Sequence, residues 1–327
     1  MASGPGLNPN RPGHRCEAAS SLGVADIDWS APWLADWRAV GEAIAQQVVA
    51  GVPQPQALTE AGRAPVRFVP QSDLPAGMAY EAFIGETGQV PTREGLHDFF
   101  NALCWMHFPL AKRQLNRLQS FEIARAGVGQ VRGPVRDACT VFDENAVLLQ
   151  TPDAVWQALT THRWHEALVV QRSLWAHTRV WVFGHAALEK LVRPYKSITV
   201  HLWRVPEGVT DATLDAWLAE DLQPAKLALK PFSPLPVLGV PGWWAPNEAS
   251  DFYDDVEVFR RWIIDNMNSH SNEEKIAFYN KLKGKNSNHA KYRNLEWDKF
   301  SPTIVAHLYK DGLMFIHPDS EQARSIT

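Results

Sequence analysis

The fold is decided by the stretch PTREGLHDFFNALCWMHFPLAKRQLNRLQ, residues 91–119, which joins a strong helical periodicity to many polar residues suited to an interior. A helix is predicted to begin near Thr92, whose hydroxyl can cap free backbone amides. His97 and Asn101 are four residues apart and share a stripe of this helix. The apolar residues that repeat at three- and four-residue spacing, and so share one buried face, are Leu96, Phe99, Phe100, Leu103 and Met106.

Pro109 is expected to interrupt this helix, and a second helix is predicted over about residues 110–126, with Gly127 at a left-handed C-terminal position. Two helices joined by a short proline turn can face their polar side chains into a common cleft. The alternative is that these side chains surround the core and face water. The polar residues on one side of the second helix are Lys112, Asn116 and Gln119.

Composition describes an ordinary globular protein of 327 residues, 45% of them hydrophobic and 21% charged. The net charge of −4 gives no general attraction to nucleic acid or to an anionic membrane. Cys16, Cys104 and Cys139 form no CxxC pair, which argues against a disulfide framework and a zinc ribbon. No secretory signal is recognised, and no run approaches the roughly 20 apolar residues that cross a bilayer. A cytoplasmic protein without a membrane partner is therefore expected.

The first 24 residues are rich in Gly, Pro, Ser and Asn and are expected to be disordered. A helix is then predicted from Ser30 or Pro32 to Gly51, followed by a short helix near residues 57–61 and a strand in VRFVP, residues 66–70. Residues 127–150, GVGQVRGPVRDACTVFDENAVLLQ, are interpreted as a β-hairpin. Its strands would be residues 140–142 and 146–149, on either side of a turn made by Asp143, Glu144 and Asn145.

A strand followed by a helix is predicted farther along the chain. RVWVF, residues 179–183, has strand composition, and Gly184 leads into a helix that begins at His185. His185 and Glu189 share a face of this helix at the carboxyl end of the strand, where many active sites are built. Three other helices are predicted: one that starts at Thr151, one over 164–177 and one over 210–222. A strand is predicted over 197–206. A proline-rich extended segment is predicted from 229, anchored by Trp243 and Trp244.

Several motifs follow one another in order before residue 260. On these motifs, residues 26–260 resemble a proteobacterial family catalogued as domain of unknown function 3025. The resemblance implies no activity. The motifs are LHDFFNALCWMHFPLAKRQLNRLQ, RGPVRDACTVFDENA, FGHAALEKLVRP, KSITVH, LPVLGVPGWWAPNE and DFYDD.

Side chains of the types that bind divalent metals are spread along this region. The candidate ligands are His97, His185 and Glu189, because neutral imidazoles and carboxylates are typical ligands and two of the three are four residues apart on a helix. A metal held there can acidify a water for hydrolysis. Simple hydrogen bonding is the structural alternative for each histidine. Further candidates are Asp98, His201, and Asp143 or Glu144.

A metal-free site is the second chemical possibility. The candidate catalytic residues are His97, Asp98 and Asn101, with His97 as general acid or base and Asp98 or Asp137 as the residue that orients it. A small anionic ligand could contact a lysine, although a solvated charge is the ordinary role of a lysine. The lysines considered for this contact are Lys112, Lys190 and Lys196.

The composition changes near residue 262, since seven lysines follow this point and five precede it. TIVAHLY and LMFIHP, around Lys310, Asp311 and Gly312, predict a hairpin. The tail resembles cytosine-C5 DNA methyltransferases, and residues 263–327 are interpreted as a truncated fragment of such an enzyme in a fusion. The residues that carry this resemblance are Ser301, Pro302, Thr303, Ile304, His317, Pro318, Arg324 and Thr327.

The rest of the chain departs from the methyltransferase pattern. Such enzymes use a nucleophilic cysteine that follows proline, whereas the residues that precede the three cysteines are Arg15, Leu103 and Ala138. No strand leads into a glycine loop for the methyl donor. We therefore expect no methyltransferase activity, and at most weak, nonspecific DNA contact by the lysines of the tail.

Together these features predict a helix-rich α+β domain over residues 25–262 with a small mixed or antiparallel sheet, plus an appended hairpin. The leading expectation is a metal-dependent hydrolase with a polar cleft around His97, Asn101 and His185. The alternative is a noncatalytic binding or scaffold protein in which these polar residues are structural.

Overall fold

The structure, a computed structural model, describes residues 22–127, 133–195 and 198–245, together with residues 293–294 and 315–316. It confirms the α+β class, because the described chain is rich in helices and contains small sheets. The expected disordered N-terminus and the expected C-terminal hairpin lie outside these residues, apart from a short parallel pairing of Arg293–Asn294 with Phe315–Ile316. No helix among the described residues is long and apolar enough to cross a membrane.

Ten α-helices are found in the described residues. They are α1 (Ala35–Val49), α2 (Gln54–Glu60), α3 (Tyr80–Thr87), α4 (Leu96–His107), α5 (Pro109–Ala126), α6 (Pro134–Asn145), α7 (Asp153–Thr160), α8 (His185–Leu191), α9 (Asp211–Asp221) and α10 (Pro224–Ala228). The helix predicted over 164–177 is instead a π-helical turn, Glu166–Val170, followed by a 3-10 helix, Arg172–His177.

The largest sheet in the described residues has four strands and is mixed. Its strands are β3 (Ala146–Gln150), β4 (Arg179–Val182), β5 (Thr199–Arg204) and β6 (Ser233–Pro236), in the order β4-β3-β5-β6. The central pair, β3 and β5, is parallel, and both outer strands are antiparallel to their neighbours. A separate parallel pair joins β1 (Arg67–Pro70) to β2 (Gln89–Thr92). The proline-rich segment thus supplies the edge strand β6, where missing amides are tolerated.

Aromatic side chains tie the sheet to the central helices. Phe108 lies between α4 and α5, and its ring centroid is 5.0 Å from that of Phe183, which follows β4. Phe142 of α6 is 4.9 Å from Phe183 and 5.1 Å from Trp203 of β5. Aromatic rings at these separations attract each other in addition to the area that they bury. This contact chain fixes the start of α8 relative to α4.

The cap predicted at Thr92 is wrong. Thr92 ends strand β2, and its hydroxyl donates to the Val90 carbonyl at 2.9 Å. Helix α4 begins at Leu96 after Gly95, whose φ of 125° favours glycine. Thr92 therefore pairs in the sheet, although the sequence predicted it as the cap of the helix.

The hairpin predicted over residues 140–149 is also wrong. Residues Pro134–Asn145 form one helix, α6, and strand β3 begins directly after it at Ala146. Proline at the first helical position favours a helix start there. The buried residues of α6 recur at helical spacing, which outweighs the turn propensity of the polar residues beside them. They are Ala138, Cys139, Phe142 and Asn145.

Candidate functional site

Two histidines that are far apart along the chain meet in the described structure. His97 lies in the first turn of α4, and His185 is the first residue of α8. Their Nε2 atoms are 3.2 Å apart although 88 positions separate the residues. The ring centroids are 4.6 Å apart and the rings are steeply inclined, at 80°. The two rings therefore meet nitrogen to nitrogen rather than face to face.

Glu189 holds the other nitrogen of His97. Its Oε2 lies 2.9 Å from His97 Nδ1, and it is one helical turn after His185 on α8. This hydrogen bond raises the pKa of His97 and lowers the pKa of Glu189. The side chains of His97 and Glu189 are 40% and 39% exposed, so a small molecule can reach this edge of the pair.

His185 is the buried member of the pair. Burial lowers its pKa to about 4, although the Asp143 carboxylate acts in the opposite direction. Its Nδ1 lies 3.8 Å from Asp143 Oδ2 and has no hydrogen-bond partner among the described residues. His185 is therefore a neutral imidazole at neutral pH, which is the form that binds metals.

An ion pair lies behind His185. The Lys112 ammonium donates to Asp143 Oδ1 at 2.5 Å and to Asn101 Oδ1 at 2.8 Å. Asn101 in turn donates to the Tyr80 hydroxyl at 3.1 Å. Burial raises the pKa of Asp143, but Lys112 and the two histidines outweigh it and the net pKa is lowered. Asp143 is therefore an anion that faces His185.

A small polar cavity of about 10 Å³ continues this network between α3, α4 and α5. That volume is about the minimum for one water molecule. Asn116 donates to Glu81 Oε2 at 2.7 Å on its wall, and burial raises the pKa of Glu81. The polar faces of α4 and α5 thus meet inside the protein. The polar residues of these two helices that line the cavity are Asn101, Lys112, Asn116 and Gln119.

Other candidate residues lie in different contacts. Asp98 is buried, but both of its carboxylate oxygens accept hydrogen bonds from Arg93. Asp137 pairs with Lys230 near the surface. The residue that orients His97 is therefore Glu189, in place of the expected Asp98 or Asp137.

His201 also lies outside the pair. It is on β5, and its ring centroid is 5.5 Å from that of Phe232. Sequence reasoning did not single out Tyr80 and Glu81, the first two residues of α3. The available signal was that they open a short amphipathic helix, which has to bury one face against a neighbour.

Gly184 sets the position of His185. A Cβ at Gly184 would lie 2.5 Å from the Glu144 carbonyl oxygen and 2.6 Å from the Asn145 Cα. Only glycine allows the end of α6 to approach the start of α8 this closely. Asp143 and His185 are brought together by this crossing.

We expect Gly184→Ala to reduce the free energy of unfolding by about 1–3 kcal/mol, because the added methyl meets backbone atoms that cannot rotate away. Urea unfolding measures this change. Gly23→Ala is the matched control, since a Cβ at Gly23 has its nearest neighbour, Asp26 Oδ2, at 4.0 Å. Equal stability of the two variants would show that the crossing tolerates a side chain.

The chain is similar to a known protein family. A family model described as "Protein of unknown function (DUF3025)" matches residues 66–262, more than half of the chain. No curated protein and no solved structure matches the chain. The matched region includes both histidines, the helix pair and the four-stranded sheet. The comparisons show nothing about a methyltransferase-like fragment in residues 263–327, so that fragment and its weak DNA contact stay predictions.

Proposed function

The chain belongs to the family described as Protein of unknown function (DUF3025), whose description names no reaction, and we propose from the geometry of the histidine pair that it carries a metal-dependent hydrolytic centre. In this proposal His97 and His185 hold a divalent transition-metal ion through their Nε2 atoms. The observation that carries it is the 3.2 Å approach of these two atoms.

The separation of the two nitrogens supports a shared ion. In tetrahedral zinc sites each imidazole nitrogen lies about 2.0–2.1 Å from the metal, so two such nitrogens are roughly 3.3 Å apart. The Nε2 atoms of His97 and His185 are 3.2 Å apart. No group of three or more His, Cys, Asp or Glu side chains suited to a metal occurs in the part of the chain that the structure describes. The described residues therefore offer two ligands and leave the other coordination positions to water and substrate.

The carboxylates beside the histidines also support this proposal. Histidines that bind metals usually direct their second nitrogen toward a carboxylate or a carbonyl, which fixes the ring and its tautomer. Glu189 accepts such a hydrogen bond from His97 Nδ1 at 2.9 Å. Asp143 faces His185 Nδ1 at 3.8 Å. Glu189, expected from the sequence as a third ligand, is better suited to orienting His97.

The residues of the site have distinct roles in the proposed reaction. A bound divalent ion supplies the Lewis acidity that makes water a nucleophile at neutral pH. Lys112 keeps Asp143 ionised, and Asp143 favours the His185 tautomer in which the Nε2 lone pair is free. Glu189 is close enough to the exposed edge of His97 to exchange protons with a substrate that arrives there.

We expect the metal-stripped full-length protein to bind one equivalent of Zn²⁺ or Mn²⁺ in a calorimetric titration. His97→Ala and His185→Ala should each lower the affinity by a factor of about 100 or more, because each removes one of two protein ligands. His177→Ala is the control, since His177 is an exposed histidine away from the pair. Equal affinity in all four proteins would exclude this metal site.

A noncatalytic role is favoured by one observation. If His97 Nδ1 donates to Glu189, its Nε2 can accept a hydrogen bond from His185 Nε2, so the two Nε2 atoms also have a partner without a metal. Release of p-nitrophenol from p-nitrophenyl acetate or bis(p-nitrophenyl) phosphate separates the two candidates. We expect metal-dependent release that is lost in His97→Ala. Metal binding without release from either compound would favour the noncatalytic binding protein.

A further inference from the structure

A second cavity is lined by residues that do not include the two histidines. Its volume is about 280 Å³. The turn Pro32–Leu34, the 3-10 helix Arg172–His177, strand β4 and the chain near Val240 form its walls. It shares no lining residue with the polar cavity beside Lys112. This aromatic pocket is small, near the lower limit of about 300 Å³ for sites that bind small molecules.

Three tryptophans, Trp33, Trp175 and Trp243, are among the residues that line the aromatic pocket. Trp33 and Trp175 are each 8% exposed, and Trp243 is partly exposed. The centroids of Trp33 and Trp243 are 6.2 Å apart, with the rings inclined at 53°. Trp175 Nε1 donates to the Ala167 carbonyl at 2.7 Å, which fixes that ring. The pocket is therefore lined by electron-rich aromatic rings, of which that of Trp175 is held in place by a hydrogen bond.

One charged side chain lines this pocket. Asp36, in the first turn of α1, is exposed and has no hydrogen-bond or ion-pair partner in the described parts of the chain. None of the other lining residues is basic. A carboxylate beside tryptophan faces favours a cation, because both the carboxylate and the ring quadrupole attract positive charge.

Besides the Asp36 carboxylate, the only side-chain hydrogen-bond acceptor among the lining residues of this pocket is the Thr178 hydroxyl. The Thr178 hydroxyl is already bonded to the Thr151 hydroxyl at 2.7 Å and to the Leu174 carbonyl at 3.3 Å. An ammonium group with three N–H donors would find only the Asp36 carboxylate as a free side-chain acceptor there, so fewer of its donors would be paired than in water. A quaternary ammonium group has no such donors.

We propose that the aromatic pocket formed by Trp33, Trp175, Trp243 and Asp36 binds a small organic cation with a quaternary ammonium group. The binding depends on aromatic faces and on one carboxylate. This site is separate from the histidine pair and does not depend on the proposed hydrolytic function.

Calorimetric titration of the full-length protein with choline tests the proposal. The comparison ligand is 3,3-dimethylbutan-1-ol, which has the same shape without the charge. We expect one choline site. The affinity for the neutral alcohol should be lower than that for choline by a factor of about ten or more. Absence of choline binding, or equal affinity for the alcohol, would overturn the proposal.

Two variants locate the site. Asp36→Asn should weaken choline binding about three- to tenfold, because the amide keeps the shape of the carboxylate and removes its charge. Trp243→Leu should weaken it by a similar factor, since an apolar wall remains without a π face. Asp73→Asn, the same change at an exposed carboxylate on another element, should bind choline as the parent protein does. Unchanged binding in Asp36→Asn would place choline elsewhere and refute the assignment.

Discussion

Lys112→Met is expected to lower the free energy of unfolding by about 3–5 kcal/mol, because it leaves a buried carboxylate without its counter-ion. The Lys112 side chain is 4% exposed and that of Asp143 is 15% exposed. The ammonium also holds the Asn101 side chain in place. Urea unfolding followed by circular dichroism measures the loss.

Two further variants separate this effect from the loss of packing. Lys112→Met combined with Asp143→Leu removes both charges and should be more stable than Lys112→Met alone, since no charge is then left buried and unpaired. Lys230→Met removes a pair with Asp137 whose side chains are 47% and 43% exposed, so a loss of no more than about 1 kcal/mol is expected. If the double variant were the less stable of the two, burial of an unpaired Asp143 would not be the cause.

Acidification is expected to destabilise the metal-free protein by about 3 kcal/mol through His185 alone. Burial lowers the pKa of His185 to about 4 in the folded protein, whereas an unfolded histidine titrates near 6.5. The unfolded chain therefore binds a proton first as the pH falls. The stabilisation is complete above about pH 6.5 and is lost progressively between about pH 6.5 and 4.

The neighbours of His185 modify this profile without reversing it. The raised pKa of His97 stabilises the fold below about pH 6.5, which opposes the loss, but His97 is partly exposed and the effect is screened. The lowered pKa values of Asp143 and Glu189 add losses at still lower pH.

Urea unfolding at about pH 7 and pH 5, with a chelator present, tests the assignment. His185→Gln should reduce the difference between the two values by about 2 kcal/mol, because glutamine does not titrate. His107 and His201 are also buried enough to have lowered pKa values and should retain part of the acid sensitivity. The control His177→Gln should behave as the parent does. An unchanged difference in His185→Gln would show that His185 is not the titrating group.

Local patterns were enough to predict the elements that carry the site. The apolar repeat in residues 91–119 predicts α4 and α5, and Pro109 does separate them. The four-residue spacing of His185 and Glu189 correctly places both on α8. These predictions depend on interactions within one or two helical turns, and such interactions are visible in the spacing of residues along the sequence.

The meeting of the elements could not be predicted in the same way. His97 and Glu189 are 92 positions apart, and their contact depends on how α8 packs against α4. The sequence leaves open whether Lys112 faces a cleft, contacts an anionic ligand or is a solvated charge, because lysines rarely lie inside. Its pairing with Asp143 keeps it buried. Asp143 is predicted to lie in a turn because its neighbours Glu144 and Asn145 have turn propensity. The residues next to Asp143 do not reveal that Phe142 packs against distant parts of the chain.

The parallel pairing of β3 with β5 has a consequence for the order of folding. Ala146 of β3 is opposite His201 of β5, so this pairing closes a long loop that includes β4 and α8. Contacts between distant segments form slowly because a long loop must first be closed. The histidine pair, which lies on that intervening chain and on α4, is therefore expected to appear late, and an ion that binds it would preferentially slow unfolding of the completed protein.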